Sequence, residues 1–240
     1  MLDELAARLA TPVGDLPSNV MLDRATYEYG SELGFDGLDF YICGRGGALG
    51  EVDAGVVAAA LVYFNPAMIR ERWDRGMQVM GARKAAESFA GRLHAWARDH
   101  LAEDQDYERL AELLGIVVSA ASPAGAPLFA GWLTLPEPVE PAELMMHRLN
   151  VLRELRGAMH ACAVLAAGLD PLVAVLIKTP FMAGIFGWHE PYPEVDLARD
   201  AWAEAEAATN RAVGRVLAVL DEGQREELAC RLEHAHSGVH

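Results

Sequence analysis

The stretch from Pro141 to Gly168, PAELMMHRLNVLRELRGAMHACAVLAAG, leaves a chain like this little choice of fold. Proline at a helix start gives up an N–H that has no partner there anyway, and glycine closes a helix in a conformation other residues resist. At about 100° per residue, Met145, Leu149, Leu152, Leu155, Met159, Cys162 and Ala166 line up as one apolar stripe between those stops. A helix running from Ala142 to Ala167 with such a stripe must be covered by other helices. The same period recurs from Val79 to Leu101, Gln105 to Ala120, Leu197 to Leu220 and Gly223 to His234. Shorter helical segments read as Leu2 to Leu9, stopped at Thr11-Pro12, and Arg24 to Leu33, ended by Gly34. Others start at Asp53, at the Asn65-Pro66 pair and at Pro171. Only Leu38 to Cys43 reads as a short strand or buried turn. The expectation is an all-α protein with at most a vestigial strand. ASPAGAPLFAGWLTLPEPVEP, residues 121–141, divides it into an N-terminal lobe, 1–120, and a C-terminal lobe, 142–240.

Charge narrows the partners. With 35 acidic and 20 basic residues the formal net charge is −15, which repels a polyanion unless basic residues gather locally. The densest basic stretch, Ile69 to Lys84, is interleaved with Glu71 and Asp74, so DNA is not an expected partner. Cys43, Cys162 and Cys230 are widely spaced, as reduced thiols of the cytoplasm are. MLDELAARLATP lacks the layout of a signal peptide, and the longest apolar run, Leu172 to Trp188, is broken by Lys178 and Pro180. A cytoplasmic protein without a membrane span is expected.

Ala163 to Val175, AVLAAGLDPLVAV, has the small-residue, glycine and apolar spacing of a helix-turn-helix. Its second helix, PLVAVLI, carries no Arg, Asn, Gln or Ser to read base edges, so it reads as buried. Together with DFYICGRGGALGEVDAGVVAAALVYFNPAMI, the segment LRELRGAMHACAVLAAGLDPLVA resembles the SalK-like family of actinobacterial proteins from natural-product gene clusters, which are classed as helix-turn-helix proteins. The resemblance rests on GR-x-x-x-LG at Gly44 to Gly50, F-x-PAM at Phe64 to Met68 and LRE-x-RG-x-x-H at Leu152 to His160. The chain departs from it at Gly14, Leu155, Ala158 and Met159, and by a short segment between Leu176 and Ala201. It implies a degenerate winged-helix-derived architecture and a natural-product setting.

On the long helix, Arg153, Arg156 and His160 gather at the edge of the stripe, and Glu154 projects to the far side. Gly157 beside them lets a ligand approach the backbone. YICGRGGALG lacks the Gly-Lys-Ser/Thr of a phosphate loop and reads as a tight turn with glycines at positive φ and Arg45 directed inward or across to the other lobe. If Arg45 and Arg156 face one hollow between the lobes, they form a clamp for the carboxylate or phosphate of a small molecule. Arg153 then adds a third donor, Tyr41 lines the wall, and His160 serves as hydrogen-bond partner or catalytic acid–base. The alternative is that the arginines pair with acids of neighbouring helices and His160 is a satisfied boundary histidine.

Other chemistries have less support. Glu143 with His147, and Glu87 with His94, lack the second Glu-x-x-His helix of a di-metal site and read as solvated faces, so no metal is expected. His234, His236 and His240 read as a fraying tail. The cofactor is unknown, with a haem on His160 beside Met159 as one option. Cys43 precedes Arg45 but no histidine stands near it in sequence, Cys162 falls in the core stripe, and GWHEPYPE at Gly187 to Glu194 suits a pocket-lining loop. Three functions follow: a small-molecule-binding protein or enzyme of biosynthesis, a ligand-responsive transcriptional regulator, or a structural partner forming a homodimer through Leu172 to Trp188.

Overall fold

The computed structural model describes residues 1–239, so His240, part of the expected tail, lies outside the described residues. These residues are 72% helical, in twelve α-helices with no strand among them.

α1 runs unbroken from Leu2 to Leu22, with Pro12 and Pro17 inside it. The expected stop at Thr11-Pro12 does not occur. Each proline removes a helix hydrogen bond, at about 3 kcal/mol or more. Both rings, however, lie on the buried face with Leu9, Val13, Leu16 and Val20, and burying four large aliphatic side chains returns about 1.5–3 kcal/mol each. The Ser18 hydroxyl also donates to the Gly14 carbonyl at 2.7 Å. Tertiary burial overrides the local signal.

α2 (Arg24–Glu32) starts on Asp23, whose side chain accepts from the Ala25 N–H. Leu38 to Cys43 is neither strand nor turn but the body of α3 (Asp39–Gly46). The glycines of its GRGG are not at positive φ; in this segment only Gly50, at φ 82°, is. They serve close packing instead. A Cβ on Gly44 would collide with Phe89, and one on Gly47 with the Ala82 carbonyl, both on α6 (Ala82–His100). Between them lie α4 (Ala54–Ala60) and α5 (Pro66–Gly76), the latter capped by Asn65, which accepts from the Ala67 N–H at 2.9 Å. α7 spans Tyr107–Ala120.

The Pro/Gly-rich stretch 121–141 contains α8 (Pro127–Trp132), whose Phe129 and Trp132 are fully buried. The Trp132 indole donates to the Arg45 carbonyl at 3.3 Å and so ties this stretch to the end of α3. α9 (Pro141–Ala166) is the central rod, packed by α1, α6, α7, α8 and α11 (Arg199–Leu217). Because it is surrounded, it buries polar His147, Asn150 and Glu154 along with its apolar stripe. One apolar core extends from Ala6 on α1 to Ala235 on α12 (Glu222–Ser237), so His234 and His236 belong to a helix rather than a fraying tail.

The chain turns at Gly168, φ 73°, into α10 (Pro171–Lys178), bent 114° from α9. A separate small core of Val164, Leu169, Ala174 and Ala205 sits under this corner. α10 is not buried all round: only Ala174 and Val175 are covered, and Leu172, Val173, Leu176 and Ile177 stay half-exposed. No single helix among the described residues is long and apolar enough to cross a membrane. α9 and α10 pass that test only as a bent pair.

Candidate ligand-binding site

A cavity of about 210 Å³ lies where the two halves of the chain meet. Its walls are the α4–α5 segment from Ala59 to Phe64, Gly125 to Leu128 at the start of α8, and the face of α9 carrying Glu154, Gly157, Ala161 and Leu165. A Cβ on Gly157 would meet nothing within 4 Å, so this glycine opens the space as its sequence position suggested.

Of the arginines expected to meet here, Arg45 alone lines the cavity. Its Nε and Nη2 donate to the two oxygens of Glu154, at 2.7 and 2.9 Å, and its Nη1 donates to the Tyr41 hydroxyl at 2.9 Å. Arg153 reaches the same carboxylate, at 3.1 Å, from the other side. Glu154 therefore does not project to the far side; it turns into the core, 1% exposed, because α9 is enclosed on that face too. Burial works against its charge, yet Arg45, in contact and hydrogen-bonded, and Arg153 hold its carboxyl below the usual range. Two guanidiniums sharing one carboxylate leave one positive charge over. Three of the five Arg45 N–H groups are engaged, and two remain for a ligand oxygen.

Tyr41, Arg45, Glu154 and Arg153 form a hydrogen-bonded partition. Arg45 and Glu154 face the larger cavity, whereas Tyr41 and Arg153 face a second hollow of about 100 Å³. Phe64 lines both. Sequence reasoning named three of these four side chains and misassigned Glu154. The signal for it was its register, seven residues after His147 and seven before Ala161, on a face with its own buried pattern.

Arg156 and His160 lie elsewhere. Arg156 donates to Glu206 on α11 at 3.3 Å, so it is not brought together with Arg45. His160 Nδ1 lies 3.0 Å from the Thr209 hydroxyl, whose own proton goes to the Ala205 carbonyl at 2.8 Å. Thr209 must accept there, which places the His160 proton on Nδ1 and leaves Nε2 a bare acceptor, 3.6 Å from Glu206. Burial lowers the His160 pKa, with Glu206 pulling partly the other way. Tyr63 and Trp202 flank the ring at 5.8 and 5.0 Å between centroids, and Glu206 stands before Nε2, so this histidine does not fit a haem axial ligand. Tyr63 and Glu206 were not found from sequence. Tyr63 is the one side chain of this cluster that also lines the cavity, and its hydroxyl is buried without a partner.

The cysteines are reversed from expectation. Cys162 is exposed and lines the cavity, because the buried side of α9 shifts to His160, Ala161 and Val164 in its last turns. Cys43 is fully buried, and burial, with Asp39 nearby, pushes its thiol up to about 12, which removes it as a nucleophile. His147 is buried rather than solvated, its Nδ1 3.2 Å from His94 Nε2. No group of three or more metal-binding side chains occurs among the described residues. His189 and Glu190 of the expected pocket loop are exposed and line neither hollow.

No curated protein and no solved structure matches the chain significantly. A 114° corner closed by a four-residue turn, Ala167 to Asp170, is the geometry of a helix-turn-helix. Residues 6–204 match the model of a helix-turn-helix family, and the chain, matched over most of its length, belongs to that family.

Proposed function

We propose that the protein binds a small organic anion in the cavity between its halves, with Arg45 as the contact for a carboxylate or phosphate oxygen. The observation that carries this reading is the partition itself: a buried arginine on a cavity wall, with two N–H groups unspent and a positive charge left over around a single carboxylate. A cavity of about 150 Å³ admits benzene, so 210 Å³ suits a ligand of monocyclic size. The resemblance to the SalK-like family supports a ligand from natural-product biosynthesis. An acid–base role for His160 would have to reach that ligand through Tyr63.

Calorimetric titration with benzoate tests the reading, with benzyl alcohol as the uncharged control. Benzoate should bind more tightly than the alcohol, and Gly157→Leu, which fills the cavity, should weaken it about tenfold or more. Equal binding of benzoate by the variant would refute the site.

A second reading, a ligand-responsive transcriptional regulator, is favoured by the family and by the corner between α9 and α10. Against it stand an α10 whose only charged side chain is Lys178 and a net charge of −15. A sequence-specific, salt-dependent gel shift with the promoter of its own gene would favour it over a purely biosynthetic role.

A further inference from the structure

We infer that the smaller hollow, on the other side of the partition, is a second binding site and takes an unbranched alkyl carboxylate. Its walls come from elements far apart in sequence: Met21 and Leu22 at the end of α1, Leu38 before α3, and Met182, Ile185 and Phe186 after α10. Every one of these is apolar, and Leu22 and Ile185 stand there 59% and 46% exposed. The one charged group lining it is Arg153, mostly covered and holding a single hydrogen bond, to the Glu154 oxygen it shares with Arg45. Arg45 holds both oxygens of Glu154 in a forked pair and Arg153 only one, so Arg153 keeps the larger share of the partition's surplus charge. An apolar slot with one under-neutralised guanidinium on its wall is complementary to a chain carrying one carboxylate. At about 100 Å³ the slot is smaller than a cavity that encloses benzene, so it takes the carboxylate end of a chain and leaves the far end to run out along the exposed Leu22 and Ile185. Tyr41 and Tyr27 also line the slot. The site stands whether or not the larger cavity is occupied.

The probe is hexanoate, titrated against the whole protein by methyl-detected NMR, with hexan-1-ol and hexylamine as controls. The site requires that hexanoate shift the methyl signals of Met21, Met182 and Ile185, and that it bind at least tenfold more tightly than either control. Each added methylene from propanoate to pentanoate should tighten binding about fourfold, the increment expected for a buried CH₂, and longer chains should add less per methylene. Arg153→Met should lose the preference for hexanoate over hexanol and keep the methyl shifts with hexanol, which also shows that the variant is folded. Gly157→Leu, on the far side of the partition, should leave hexanoate binding in place. Shifts confined to the larger cavity, or an unchanged hexanoate preference in Arg153→Met, would overturn the assignment. Failure of benzoate to bind while hexanoate does would remove the larger cavity's ligand and leave this site standing.

Discussion

Replacing Glu154 by glutamine tests the partition most directly. The change keeps the size and one acceptor oxygen of the side chain and removes its charge. Arg45 would then remain a guanidinium with side-chain exposure of 14%, and its nearest acid would be gone. Breaking a buried ion pair by neutralising one partner costs about 3–5 kcal/mol, mostly because the other charge is stranded. For a chain of this size each kcal/mol moves the melting temperature by about 2–4 °C, so a drop on the order of 10 °C is expected. Urea unfolding followed by far-ultraviolet circular dichroism measures the loss directly. The double replacement Arg45→Met, Glu154→Leu removes one charge of each sign and should recover part of the loss, Arg153 being left without its acid. If Glu154→Gln loses less than about 1 kcal/mol, within the range of a solvent-screened surface pair, the ion pair is not buried in the sense used here, and the case for a shared charge fails.

Other consequences are measurable with modest effort. His147 is held neutral, its pKa lowered by burial to about 4, so its contribution is complete above the unfolded value of 6.5 and is lost as pH falls towards 4. A shift of that size corresponds to about 3 kcal/mol between pH 7 and pH 4; unfolding curves across that window should show it, and His147→Phe should flatten the slope. Iodoacetamide should modify Cys162 in the native protein and spare Cys43 until the chain unfolds, as mass spectrometry of digested protein would reveal. Because one surplus positive charge serves both hollows, saturating benzoate should weaken hexanoate at least about fivefold. Independent binding would mean that the two sites do not share that charge.

The helices were legible because α9, α6 and α11 repeat their apolar residues at the helical period, and α9 and α6 also carry proline or glycine at their ends. Two failures have a common cause. Pro12 looks like a stop and Gly44-Arg45-Gly46-Gly47 like a turn, and each reading is sound for an isolated segment. In the folded chain Pro12 is one more apolar side chain against the core, Gly44 and Gly47 lie where α6 passes too closely for a Cβ, and Gly46 does the same against Val57. The site was half legible for a related reason. Arg45, Tyr41 and Arg153 declare themselves by charge and position, but which acid neutralises which base depends on contacts such as Arg45 to Glu154, 109 residues apart. The Arg156–Glu206 pair, 50 residues apart, was hidden in the same way. Glu154 was misread because a single stripe was assumed for α9, when the rod is enclosed on nearly every side.

The corner between α9 and α10 rests on a small core. Val164, Leu169, Ala174 and Ala205 are its fully buried residues, two of the four alanines, and the side chains packed around them, Tyr63 and Trp202 among them, are only partly buried. Small cores of this kind come apart well below the free energy needed to unfold the parent domain. Backbone amides from Leu172 to Lys178 should therefore exchange with deuterium long before those in the middle of α9, and a partner that prises the corner open would meet Leu172, Leu176 and Ile177 already half-exposed. α10 is thus held as a loosely fastened flap on the end of α9.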